Sequence, residues 1–382
     1  MATTSCHFAF LPPLLFCQTA AALQSAVFCY HRGMNKQQHP AIELMTELLS
    51  VPAPSGREER LAQLVRNRLD QMSWAHETDG AGNVLVRVAG KQPEAPLVCY
   101  AAHMDEIGMV VTSIGAYGTR NVARPGGLLA GMLGYGRVEI VGDGETVVGL
   151  LSMGSTHGKT AVSIDWAQCH VKTGLTPDQL SEKGVRVGST AVPITAVRGP
   201  HIFGDDADPL VAAWTFDDRL GVVTLLRLLE AIKVEKIEPQ NPTIIAFVTQ
   251  EEVGGLGAKA LARREKPYVF IAIDGSPIPP GTSLALDGSP GIWSKDRLCH
   301  YDQALIQQFL AAGTAVGTEV QPAAYDATTS DAGMVFAVGL AERVACFGHV
   351  RGNSHGYEVC RFSVFDNVLN TLKAFFTTFK QN

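Results

Sequence analysis

Apolar and polar positions along the chain keep two rhythms, one helical and one extended, and the stretches where each holds outline a fold. Ile42, Met45, Leu48 and Leu49 recur at helical spacing until Pro52 and Pro54 stop the helix. A second helix carries Leu61, Leu64, Val65, Leu69 and Met72 as its buried stripe, with Ser55 and Glu58 ahead of it in the spacing of a capping box. Residues 84–88 and 97–102 read as strands. After a long interruption a dense apolar helix runs over 222–232, and the runs 243–248 and 268–273 are buried strands with a helix from Ala258 between them. Residues 277–290 form a loop rich in glycine and proline, 302–312 a helix, and Thr329, Ser330 and Asp331 cap another. A strand at 343–346, a polar loop at 352–358 and a packing helix carrying Val364, Val368, Leu369, Leu372, Phe375, Phe376 and Phe379 complete the pattern.

The interruption has its own texture. Between 110 and 206, short β-branched runs at 138–141, 146–151, 161–164 and 192–197 alternate with glycine turns, and helical periodicity largely disappears. This predicts a small all-β barrel domain inserted into an α/β domain. The expected boundaries are a catalytic α/β domain over 34–109 and 207–382, an inserted domain over 110–206, and an atypical extension over 1–33. That extension carries the apolar stretch of a secretory signal but not the basic segment that should precede it, and prolines interrupt it. The expectation is therefore a start placed too far upstream, with Met34 opening the polar lead into the first helix. No other segment is long enough to span a membrane.

Composition narrows the class. The 382 residues are 46% hydrophobic and 18% charged, with a net charge of -6 and no basic cluster, which argues against nucleic acid as a partner. Eight cysteines without a Cys-x-x-Cys pair fit a reduced cytoplasmic protein.

Chemistry gathers where the buried runs end. The 97–102 run leads into His103 and Asp105, the 243–248 run into Glu251, Glu252 and a glycine pair, and the 268–273 run into Asp274. Asp217 precedes the dense helix, and His355 lies in the polar loop. Each has an ordinary explanation by itself: an exposed acid pair, a helix cap, a core or surface histidine. Together they suit a metal centre, because ligands in open α/β sheets bind at the carboxyl ends of the strands. Two divalent ions need six ligands, and five residues suffice if one carboxylate bridges. His103, Asp217 and Asp274 would then hold one ion, and Asp217, Glu252 and His355 the other. Glu251 is left as a spare acid for general base work, and Asp105 is placed to accept a hydrogen bond from the far nitrogen of His103.

These motifs also resemble a known family. Residues 102–108 around His103, Phe216-Asp217-Asp218-Arg219, Glu251-Glu252-Val253-Gly254, Ile273-Asp274 and Ser354-His355 are similar, in order, to the metal-site motifs of the tetrahedral aminopeptidases, which include the glutamyl and deblocking aminopeptidases. The resemblance runs from about Ile42 to the C-terminus. It implies a mixed-sheet zinc-peptidase fold of the phosphorylase/hydrolase-like kind, with an inserted barrel between His103 and Asp217. It further implies two zinc or cobalt ions, short peptide substrates and a hollow twelve-subunit assembly. Departures lie in Gly255-Leu256-Gly257 after the acid pair, in the loop after Asp274 and at 154–159, so the substrate pocket and assembly are less constrained than the ligands. Hydrolysis of another amide, such as an N-acyl amino acid, and a non-catalytic metal-binding scaffold are the competing readings. Glu251 counts against the scaffold, which needs no spare acid.

Overall fold

The computed structural model describes residues 36–115, 119–123, 126–133, 136–152 and 166–380. The 1–33 extension, the expected strand at 161–164 and the divergent 154–159 segment lie outside the described residues.

Four apolar runs form the centre of a mixed sheet because their residues are buried on both faces, as parallel strands covered by helices must be. In spatial order they are Thr243–Val248, Val98–His103, Val269–Ile273 and Arg343–Arg351, all mutually parallel. Val248 pairs with His103 and Ile273 with Phe347, so the first three strands end along one edge, past which the fourth continues to Arg351. Antiparallel Val84–Val88 extends the sheet on one side, and Pro290–Lys295 followed by Gln321–Ala324 on the other. Helices Pro40–Leu49, Phe216–Val234 and Val364–Thr378 contribute their buried faces to the main core, where Phe309 stacks between Phe347 and Phe375 at ring-centroid distances of 4.5 and 3.8 Å.

The chain leaves this sheet just after His103. It builds a closed antiparallel barrel from Met109–Ile114, Thr119–Ala123, Gly136–Val141, Thr146–Ser152, His170–Lys172 and Thr190–Pro193. Met109, Val111, Ile140, Val171 and Ala191 fill a core separate from that of the sheet, and Trp214 joins it from the returning segment. The return passes through His201–Phe203 and Leu210–Trp214, which pair with Tyr357–Arg361 in a small third sheet. The α/β fold with an inserted barrel is therefore the architecture of the chain.

Several local expectations change. Ser55 and Glu58 do not form a capping box: helix Glu59–Gln71 has no side-chain cap, because both side chains reach across to the site instead. Helix is not excluded from the insertion, since Pro177–Glu182 carries a complete capping box of Thr176 and Gln179. The 192–197 run divides into the end of a strand and a 3-10 turn at Thr195–Val197. Arg343–Arg351 is longer than the apolar run suggested, and the polar 352–358 loop gives way to strand Tyr357–Arg361. None of the described helices is long and apolar enough to cross a membrane.

Candidate metal centre

The shared strand edge brings His103, Asp217, Glu251, Glu252, Asp274 and His355 into one cluster. Ligand-capable atoms of His103, Asp217 and Asp274 all lie within 4.8 Å of one another, and so do those of Asp217, Glu252 and His355. Asp217 is common to both triads and splits its carboxylate between them: Oδ1 is 3.1 Å from His103 Nε2 and Oδ2 is 3.6 Å from His355 Nε2. His355 Nε2 stands 3.7 Å from Glu252 Oε2. Glu251 Oε2 is 4.0 Å from His103 Nε2 and belongs to neither triad.

Local backbone explains how the acids are presented. Helix Phe216–Val234 begins irregularly: Thr215 is left-handed at φ 62°, Asp217 and Asp218 depart from helical angles, and the peptide between them is cis. The ordinary cap role considered for Asp217 falls to Asp218, whose Oδ1 accepts from Gly221 N at 3.1 Å while Oδ2 accepts from His103 N at 3.2 Å. Gly221 has to be glycine, since a Cβ there would stand 2.2 Å from Ile273 O. With Asp218 engaged, Asp217 is free to face the histidines, and its own N–H donates to Glu358 Oε2 at 2.9 Å.

The loop carrying the two glutamates is clamped from the opposite side. Asp105 accepts from Glu251 N at 2.9 Å, Glu252 N at 3.2 Å and Ser55 Oγ at 2.7 Å. Glu58 accepts from Gln250 N at 3.1 Å, holding that residue at φ 55°. His103 Nδ1 is closest to the Asp105 carbonyl oxygen at 3.0 Å, with the Asp105 carboxylate at 3.5 Å. The aspartate thus sets the imidazole through its backbone and the acid loop through its side chain.

Electrostatics describe a site short of positive charge. Burial raises Glu252 to about 7 with Asp217 adding, against the pull of His355, and raises Asp274 to about 6 with Asp217 again adding. Glu251 is pushed well above the carboxylate range by burial and by its acid neighbours. Burial would raise Asp217 too, but the Arg351 guanidinium and the two histidines hold it well below the usual value. Carboxylates crowded this closely resist ionising together unless cations join them. Glu252 Oε1 is buried and has no hydrogen-bond partner among the described residues. That orphaned acceptor, the two three-residue groups and the mixed imidazole and carboxylate donor set fit divalent cations.

Arg351, Asp218 and Glu358 were not singled out from the sequence. Arg351 pairs with Asp217 and, through Nε at 2.9 Å, with Glu358, joining the end of the last central strand to the Asp217 segment. Asp218 and Glu358 lie one and three residues beyond Asp217 and His355, and that adjacency was the available signal.

Residues 82–370 match the profile of the M42 glutamyl aminopeptidases. The glutamyl aminopeptidase of Lactococcus lactis subsp. cremoris is 30% identical over 253 residues, covering 60% of this chain and 65% of that protein. The chain thus spans less than two thirds of that curated relative's length. Among solved structures, the aminopeptidase APDkam598 of the archaeon Desulfurococcus kamchatkensis superposes with a TM-score of 0.79 and 25% identity, covering 88% of this chain and 94% of that one. The Pyrococcus horikoshii TET1 peptidase, which can assemble into a tetrahedron or a large octahedral shell, shares the fold with a TM-score of 0.76 at 23% identity, covering 88% and 99%.

Proposed function

The chain belongs to the M42 glutamyl aminopeptidase family, and from that premise we propose that it removes N-terminal residues from short peptides at a centre holding two divalent cations, zinc or cobalt. The observation that carries this reading is the pair of triads sharing Asp217, with Glu251 beside them and in neither. His103, Asp217 and Asp274 would hold one ion, and Asp217, Glu252 and His355 the other. Such ions polarise a carbonyl and lower the pKa of water.

The chain's own residues supply the proton traffic. Glu251 is 7% exposed and, among the described residues, its Oε2 is ion-paired no nearer than His103 Nε2 at 4.0 Å, so it is free to take the proton of an attacking water and pass it to the departing amine. Burial and its acid neighbours raise its pKa above the ordinary carboxylate range, the direction that favours the second half of that task, return of the proton. Asp105 keeps Glu251 aimed by anchoring the backbone N–H groups of both glutamates.

The free state of Cys99, Cys169, Cys299, Cys346 and Cys360 supports a reducing, cytoplasmic setting. Self-association into a dodecamer is proposed from the likeness to TET peptidases, and light scattering on the purified protein tests it. For the centre itself, elemental analysis beside a panel of aminoacyl p-nitroanilides with zinc, cobalt or manganese should find two ions per chain and activity that a chelator removes. An active, fully loaded sample with one ion or none would remove the two-ion centre. Cleavage of N-acyl amino acids in preference to aminoacyl substrates would replace the aminopeptidase reading with the other amidase.

A further inference from the structure

Sorting the acids around the site by their partners leaves one without a task. Asp105 accepts from Glu251 N, Glu252 N and Ser55, Glu58 from Gly56 N and Gln250 N, and Asp218 from His103 N and Gly221 N. Glu358 is taken up by Arg351 and Asp217 N. Asp217, Asp274 and Glu252 belong to the triads, and Glu251 is the proposed base. Asp331 remains. It is only 2% exposed, yet its Oδ1 has no hydrogen-bond partner among the described residues, a costly arrangement unless something arrives to pair it.

Its placement is fixed, against the glycine turn that follows the two glutamates. Asp331 opens the short helix Asp331–Phe336, whose Ser330 cap is held by the Tyr301 hydroxyl at 2.7 Å, itself 2.9 Å from Asp296 Oδ2. The carboxylate faces the turn that follows Glu252: a Cβ on Gly255 would lie 3.0 Å from Asp331 Oδ1, so glycine there keeps a side chain off this oxygen. After burial, Asp331 is the foremost of the negative charges that push Glu251 up, ahead of Glu252 and Asp274. It is itself raised to about 8 by burial, with Asp105 and Asp274 adding.

An aminopeptidase differs from other amide hydrolases in demanding a free α-ammonium group. A cation entering a site this enclosed needs a carboxylate to replace its water. We propose that Asp331 receives the α-ammonium of the substrate's first residue and so confines the enzyme to free N-termini. The proposal rests on the aminopeptidase reading. It ties recognition to relief of a buried, unpaired acid, because the arriving ammonium pairs the oxygen that the described residues leave without a hydrogen bond.

The test compares metal-loaded wild type with Asp331→Asn on two substrates: the aminoacyl p-nitroanilide the enzyme cleaves best, and its analogue lacking the α-amino group. Loss of a charge-assisted hydrogen bond should raise KM for the first roughly 10- to 100-fold and leave the analogue's KM at the wild-type value, while any change in kcat through Glu251 is shared by both substrates. The preference for a free amine then shrinks by the same factor while metal content stays at the wild-type value. An unchanged KM and preference would overturn the proposal, and loss of metal would do so by assigning Asp331 to the centre. If the variant folds poorly, a structure of the wild-type holoenzyme with leucine amide decides. The ammonium should lie within hydrogen-bond distance of Asp331, and an ammonium touching only Glu251 or the triad carboxylates overturns the proposal. A wild-type holoenzyme inert toward every free N-terminus sinks the aminopeptidase reading and this proposal with it. Active wild type with an unaffected variant sinks this proposal alone.

Discussion

Glu251→Gln should lower kcat by roughly 10² to 10⁴-fold, the range over which a positioned general base contributes, and toward the upper end because the same group also returns the proton to the leaving amine. Glutamine keeps the shape of the side chain and leaves the Asp105 contact untouched, since that contact is made by the Glu251 backbone N–H. Both ions should therefore stay. Glu252→Gln makes the contrast: it weakens a member of the second triad, so metal content and activity should fall together. Metal counts read beside kcat for the two variants separate base from ligand. Normal turnover in Glu251→Gln, or an emptied site in that variant, would reverse the assignment of the pair.

The sequence was most informative where one residue's environment sufficed to define it. The four central strands are continuous apolar runs, and a run buried on both faces has few other solutions, so the ends at His103, Glu251 and Asp274 could be located before any contact was known. Less accessible were the places where a polar residue serves a distant one. Ser55 and Glu58 have the spacing of a cap, but their hydrogen bonds go to Asp105, 50 residues away, and to Gln250, 192 residues away. Spacing alone cannot distinguish the two uses. Strand Arg343–Arg351 outran its apolar stretch because Gly348, His349 and Arg351 continue it, and Gly348 is needed where a Cβ would lie 2.2 Å from Asp274 O. Strand Pro290–Lys295 was missed because glycine and proline dominate the segment before it, and proline at a strand's first residue is one of the few places a sheet tolerates it.

Arg351 and Asp331 were hidden for a related reason. Both are buried ionisable residues: Asp331 read as part of a helix cap, and Arg351 fell between a strand expected to end at Cys346 and the polar loop from Gly352. Only the fold reveals that one holds Asp217 and that the other lies against the Gly255 turn with a buried oxygen that no described residue pairs.

Glu106→Ala should destabilise the protein by about 3 to 5 kcal/mol, because it removes the carboxylate shared by a buried pair of guanidinium groups. Glu106, Arg198 and Arg219 are each 0% exposed in their side chains. Glu106 Oε1 accepts from Ala53 N at 2.7 Å, Arg198 Nη1 at 2.9 Å and Arg219 Nη2 at 3.4 Å, and Oε2 accepts from Trp214 Nε1 at 2.8 Å. Ala53 and Arg219 belong to the α/β domain, whereas Arg198 binds the Pro193 carbonyl at the end of a barrel strand and Trp214 sits in the barrel core. The residue therefore fastens the two units at the point where the chain crosses between them, one position beyond Asp105. Burial works against its charge, but Arg198 and Arg219 hold its pKa below the ordinary carboxylate value. A folded value below the unfolded one means that this stabilisation is complete above the unfolded pKa of roughly 4.3 and is lost as pH falls through the folded one. Urea unfolding of metal-loaded wild type and Glu106→Ala should show the full gap near pH 7 and a narrowing gap as acid is added below pH ~4. A variant within about 1 kcal/mol of wild type at neutral pH, the usual range for an exposed ion pair, would mean that water reaches the cluster and that the barrel is fastened elsewhere.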